Sequence, residues 1–215
     1  WFGTDELGRD LFSRVVYGTS QSLTIGLGAT LIASLGGIVL GTTAALAPRP
    51  IGRLLLRLID ILLAFPEMLL ALLVIAVLGR GPANTLLAVG LASIAGYARL
   101  IRSQVLHIKL SGYVEHAIAL GEHPWTIIIR HIVPNAIRPL LILATIGVGT
   151  SVLSASALSF LGLGVVPPAA EWGALLANGR NFLDIAPWTS LLPATVVALS
   201  VISITLLGRR LQTLL

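Results

Sequence analysis

Residues 22–47 form a run of 26 residues without a charged side chain. At about 1.5 Å per residue, a helix of that length reaches across the roughly 30 Å hydrocarbon core of a bilayer. The run carries Gly26, Gly28, Gly36, Gly37 and Gly41 with small residues between them. Small residues let helix backbones approach closely in lipid. Four further apolar segments follow, at 59–79, 82–98, 139–163 and 191–208. Only 11% of the 215 residues are charged and 56% are hydrophobic, against about 25% charged in an ordinary soluble domain. The expected fold is an all-α integral membrane protein, a polytopic transmembrane helix bundle with five spans in this chain.

The net charge of +5 invites a nucleic-acid reading. The basic residues instead lie in short connections between apolar runs, where membrane topology accounts for them. Arg49, Arg53, Arg57, Arg99, Arg102, Lys109, Arg130, Arg138, Arg209 and Arg210 fall on one side of the expected spans. Arg9, Arg14, Arg80 and Arg180 fall on the other. The positive-inside rule places the first group in the cytoplasm. Arg49, Arg53 and Arg57 read as a short loop, and nucleic acid is not an expected partner. The chain has no cysteine, so no disulfide, thiol nucleophile or cysteine-ligated metal site can form. There is no P-loop, no G-x-S-x-G and no H-E-x-x-H. His107, His116, His123 and His131 lack the i, i+4 spacing of a helical zinc pair. No catalytic or metal-binding residue is expected.

A polar, basic island, YVEHAIALGEHPWTIIIRHIVPNAIRP, occupies residues 113–139. Residues 113–120 have apolar positions at helical spacing, and Gly121 then permits a turn. Pro124 suits the first turn of a second short helix. Pro134 and Pro139 then punctuate the return to the membrane. The expected element is helix, break, helix, offered on a membrane surface for docking. The spacing resembles the EAA loop of ATP-binding cassette (ABC) importer permeases: Glu-Ala-Ala, three residues, Gly, nine residues, Ile-x-Leu-Pro. Glu115, Ala117, Gly121 and Pro134 fall in register, whereas His116, His131 and Val133 depart from it. RHIVPN at 130–135 resembles the RHILPN of the peptide/nickel branch. The GTDELGRDLFSR run near the start, DILLAFPEMLLAL at 60–72, and the EWG and NGR pieces after residue 170 resemble the same dipeptide/oligopeptide/nickel family. The tail LLGRRLQTLL departs from the family pattern.

That resemblance implies a type I importer permease, one transmembrane permease domain over 1–215. Residues 1–20 would be an interfacial lead-in, 103–138 a cytoplasmic coupling loop, and 164–188 an extracytoplasmic loop. The latter should carry a short amphipathic helix anchored by Trp at the interface. The chain begins at Trp1 rather than Met, so an upstream segment with a sixth helix is expected. Glu115, His116, Ala117, Gly121 and Pro134 would couple to an ATPase. The implied partners are a second permease in a heterodimer, two ATPase subunits, an extracytoplasmic binding protein, a peptide substrate and membrane lipid. ATP and Mg would be bound by the ATPases, with no cofactor in this chain. The implied location is the bacterial plasma (inner) membrane, multi-pass. Nickel chelates and glutathione are the alternative substrates.

Asp60 and Glu67 lie within the expected second span, beside Pro66. A kink is expected at the proline. Seven residues apart, the two acids would share one helix face. Acidic groups at membrane depth face a bundle interior or water. Either they line the translocation pathway, or Glu67 pairs with a buried arginine or hydroxyl. A secondary transporter would need them as its coupling-ion site.

Overall fold

The computed structural model describes residues 3–166 and 168–214, with 212–214 as backbone only. Trp1 and Phe2 of the expected lead-in and Pro167 of the expected outer loop lie outside the described residues. The chain is helical throughout: α1 Leu11–Leu46, α2 Arg49–Ala64, α3 Glu67–Leu78, α4 Pro82–Lys109, α5 Gly112–Ala119 and α6 Pro124–Thr126. A π-helical segment, Ile127–Ile132, then leads into α7 Val133–Phe160. After it come α8 Trp172–Gly179, a 3-10 turn at Arg180–Phe182 and α9 Trp188–Leu214.

Asp10 starts α1 by accepting from the Ser13 N–H, the expected role of a short acid at a helix N-cap. Before it, residues 3–9 fold back on themselves. The Asp5 carboxylate accepts from the Leu7 and Arg9 N–H groups and from Arg9 Nε. Burial pushes the Asp5 pKa up, but these bonds outweigh it and hold the carboxyl below its usual range.

α1 packs most extensively on α4. Gly28 lies against Leu86, Gly36 against Ile94 and Gly41 against Ile101. Both numbers rise together, so the two helices run parallel. A Cβ at Gly41 would stand 2.5 Å from the Ala98 carbonyl oxygen; the small-residue stripe is what lets the backbones meet. α7 runs against both. Gly26 faces Val152 and Gly147 faces Thr30, and Thr30 Oγ1 and Ser151 Oγ share a hydrogen bond of 3.0 Å. α9 is antiparallel to α7, with Gly149 beside Val201 and Gly208 beside Ile146.

Parallel α1 and α4 require the chain between them to return across the bilayer. The expected span at 59–79 does this only as part of a bent pair. α2 and α3 meet at 95°, which is a break rather than a kink. Pro66 disfavours helical geometry at the residue before it, and Phe65 is extended at φ −89°, ψ 139°. Asp60 and Glu67 therefore stand on different helices and share no face. Arg49, Arg53 and Arg57 are helical residues of α2, not a loop; Pro50 at the helix start favours that geometry. Four helices are long and apolar enough to span, or five spans when the bent pair counts as one.

The membrane return after the docking element also differs from expectation. Residues 124–160 form one continuous 37-residue helical rod. Pro134 would clash with the carbonyl four residues back in an α-helix. The π segment relieves this by shifting the register, so the Val133 N–H bonds Ile128 O. Pro139 also sits inside α7.

Candidate coupling site and pathway groove

α5 is short and stands on two side chains. Val114 and Ala117 are buried in an apolar cluster with Val105 and Ile108 of α4, Ile127 and Ile132 of the π segment, and Ala136 and Leu140 of α7. The opposite face is open. Glu115, His116 and Gly121 are exposed, as is Pro134 on the following rod. His116 Nδ1 lies 2.6 Å from the Gly112 carbonyl oxygen.

α5 ends in a Schellman motif. The Glu122 N–H bonds Ala117 O and the Gly121 N–H bonds Ile118 O. Gly121 takes φ +77°, a left-handed conformation that is costly for residues with a Cβ. His123 Nδ1 accepts from the Trp125 N–H to start the next helix. His131 Nε2 then reaches back to Glu122 Oε2 at 3.0 Å. Around this turn, Leu120 is 84% exposed, Trp125 66% and Ile129 64%. Ile118 and Tyr113 extend the same apolar platform. The sequence reading selected the polar motif positions and passed over these apolar ones. Their exposure as large apolar side chains marks them.

The second candidate region lies at mid-depth. Glu67, Ser93, Gly96, Tyr97, Leu143, Ile146, Gly147, Thr150 and Ser151 line an open groove of about 260 Å³. Ser93 Oγ donates to Glu67 Oε1. Asp60 does not reach this groove. It pairs instead with the Arg99 guanidinium in the C-terminal half of α4. Ser93 is unremarkable in the sequence, one hydroxyl in an apolar span; Tyr97, which reads as an interfacial residue closing the third span with Arg99 and Arg102, lines this groove instead.

The end of the bundle opposite the docking turn has its own polar node. Glu171 is fully buried and accepts from the Gly173 and Ala174 N–H groups at 2.9 and 3.0 Å. Ser22 Oγ of α1 donates to the same carboxylate at 3.2 Å. Trp172, expected as an interface anchor, is buried instead, with Nε1 donating to Val15 O. These bonds fix α8 to the outer end of α1, on the same side as residues 3–9.

Together the apolar helix bundle, the exposed turn at one end and the capped loop at the other define a membrane permease. The profile of the family described as binding-protein-dependent transport system inner membrane component matches residues 37–215. The glutathione transport system permease protein GsiD of Pectobacterium atrosepticum is 40% identical over 208 residues, covering 97% of this chain and 69% of that protein. The dipeptide transport system permease protein DppC of Alkalihalophilus pseudofirmus is 41% identical, covering 97% and 68%. The di/tripeptide permease DppC of Pseudomonas aeruginosa is 42% identical, covering 96% and 68%. A chain of the inward-facing MetNI methionine ABC transporter shares the fold, with a TM-score of 0.74 at 18% identity over 92% of this chain and 94% of that one. A chain of an amino acid ABC transporter crystallised with histidines gives 0.74 at 17% identity over 95% of each. The chain belongs to the binding-protein-dependent transport system inner membrane components, and is a permease subunit of an ABC importer in the inner membrane.

Proposed function

We propose that this chain forms half of the translocation pathway for short peptides. It pairs with a second, non-identical permease, and the mid-depth groove faces the path between them. Two ATPases bind ATP and Mg and hydrolyse the nucleotide. An extracytoplasmic binding protein delivers the peptide to the outer face. The relatives named for dipeptides, di/tripeptides and glutathione support a peptide substrate, since glutathione is itself a short peptide.

The observation that carries this reading is the docking turn. Leu120, Trp125 and Ile129 are large, apolar and exposed at the cytoplasmic end, beside the polar positions Glu115, His116 and Gly121. Contiguous exposed apolar surface marks an interaction site. A load placed there passes through Val114 and Ala117 into α4 and α7, so ATPase closure would move two spans at once. Such an element switches when ligand favours one of two packings.

The test is reconstitution of the chain with its co-encoded permease, ATPases and binding protein. ATP-dependent uptake of a labelled dipeptide is expected. Uptake driven by an ion gradient without ATPases would overturn the reading in favour of a secondary transporter. ATP-dependent uptake of a nickel chelate but no peptide would overturn the substrate.

A further inference from the structure

α2 is tied to the bundle along one line only. Ile59 is its single buried residue, packed with Ala44 and Ala98. Near its start, Gly52 lies by the Ala44 carbonyl oxygen. Near its end, Asp60 pairs with Arg99. Ala44 stands a few residues beyond Gly41, which is level with Ile101. The helix thus starts level with the end of α1 and moves inward along its 16 residues. After the 95° bend, Glu67 is already level with Ser93. α2 therefore slants inward from its arginine-bearing first half, which stands at the cytoplasmic interface, and α3 carries the chain on from mid-depth.

The helix has three faces at 100° per residue. Ile59 and Leu55 face the bundle. Ile51, Leu54, Leu58 and Ile61 are exposed and apolar. Arg49, Arg53 and Arg57, spaced i, i+4 and i+8, form the third face, and all are exposed. Among the described residues no carboxylate pairs with these arginines; the one acid on α2 is held by Arg99. Arg53 and Arg57 flank a shallow groove of about 260 Å³ with Pro50 and Leu54.

We propose that α2 is a lipid-binding helix, whose arginine face holds anionic phospholipid headgroups of the cytoplasmic leaflet. A basic face beside an open apolar face, at the level of the headgroups, is the arrangement that binds anionic membrane surfaces. Guanidinium forks match phosphate oxygens in two-point contacts. The apolar face settles among the acyl chains below. Anionic lipid would then steady the bend at Phe65–Pro66, which hangs from α2.

The full chain, reconstituted in phosphatidylcholine vesicles, can be probed with spin-labelled phosphatidylglycerol or spin-labelled phosphatidylcholine. The motionally restricted fraction reports which lipid the protein holds. Wild type should prefer phosphatidylglycerol. A basic residue near an anionic leaflet favours binding roughly fivefold. The triple variant R49Q/R53Q/R57Q should lose the preference, leaving a ratio near one. R49K/R53K/R57K keeps the charge, controls for folding, and should retain most of the preference. High salt should weaken it in wild type. An unchanged preference in the glutamine variant overturns the proposal, as does its loss in both variants. Release of ATPase subunits by the glutamine variant, with lipid preference intact, would assign this face to an acidic protein surface instead.

Discussion

His131 reaches back nine residues to Glu122, Nε2 to Oε2 at 3.0 Å. The pair closes the docking turn against the π segment. Its two ends belong to different functional parts: Glu122 follows the glycine that ends α5, and His131 lies in the rod that becomes α7. Through this bond the turn and the rod move together. A half-exposed hydrogen bond contributes about 0.5–1.5 kcal/mol.

Removing either partner should loosen the turn without unfolding the bundle. His131→Ala and Glu122→Ala should each raise amide exchange at residues 117–123 several-fold and lower substrate-stimulated ATP hydrolysis. The double variant should be little worse than either single one, because one interaction is lost in all three. Additive losses would show that the two residues act independently.

Gly121 supplies a sharper test of backbone geometry. A Cβ there would meet nothing within 4 Å, yet φ is +77°. The cost of substitution is therefore strain alone, about 1–2 kcal/mol for a residue with a Cβ and more for a β-branched one. Gly121→Asn should retain most coupled transport, since Asn tolerates this conformation. Gly121→Val should abolish both transport and substrate-stimulated ATP hydrolysis. If Asn proved as damaging as Val, side-chain space at the ATPase interface, not φ, would be the constraint.

The docking element was legible because its signals are local: a glycine at a helix end, a proline at a helix start, and a fixed spacing between them. Four of the expected spans were legible for the same reason, from apolar run length; the one at 59–79 is part of a bent pair of helices. Three features were hidden. α2 carries Pro50, Gly52 and arginines that read as a turn, and its packing through Ile59 on Ala44 and Ala98 is not visible locally. Pro134 read as a stop because the sequence does not announce a π register that bypasses the missing N–H. Trp172 read as an interface anchor, since its hydrogen-bond acceptor, Val15 O, lies 157 positions away. The Glu122–His131 pair was invisible for a similar reason: nine residues match no local helix or strand period.

Tyr97 and Gly147 form a lock between α4 and α7. A Cβ on Gly147 would stand 1.9 Å from the Tyr97 hydroxyl oxygen and 3.2 Å from the carbon that bears it. Gly147→Ala should therefore destabilise by about 1–3 kcal/mol through overpacking. Tyr97→Phe removes the clashing oxygen, so the double variant G147A/Y97F should recover part of that loss. Thermal unfolding in detergent reads both. A double variant no better than G147A would mean that the helices separate rather than clash locally.

Glu67 is the last and most exacting case. It opens α3 directly after Pro66 and takes a hydrogen bond from Ser93 across the groove. A lone carboxylate at membrane depth is expensive, so it must face protein or water. A structural role and a pathway role predict different losses. If the carboxylate only ties α3 to α4, Glu67→Gln keeps the bond to Ser93 through its amide oxygen, and transport should be near normal. If the charge meets the ammonium group of a peptide in the groove, Glu67→Gln should assemble normally while transport of peptides with a free amino terminus falls about tenfold. That fall corresponds to about 1.4 kcal/mol, close to the lower end of the roughly 1.5–3 kcal/mol of a hydrogen bond to a charged group. N-acetylated peptides, if transported at all, should be affected less. Ser93→Ala separates the two further. It removes the tie but leaves the charge, so it should lower thermal stability modestly and leave the preference for free amino termini in place. Equal uptake of free and acetylated peptides by wild type and Glu67→Gln would remove Glu67 from the pathway and leave it as a tie between helices.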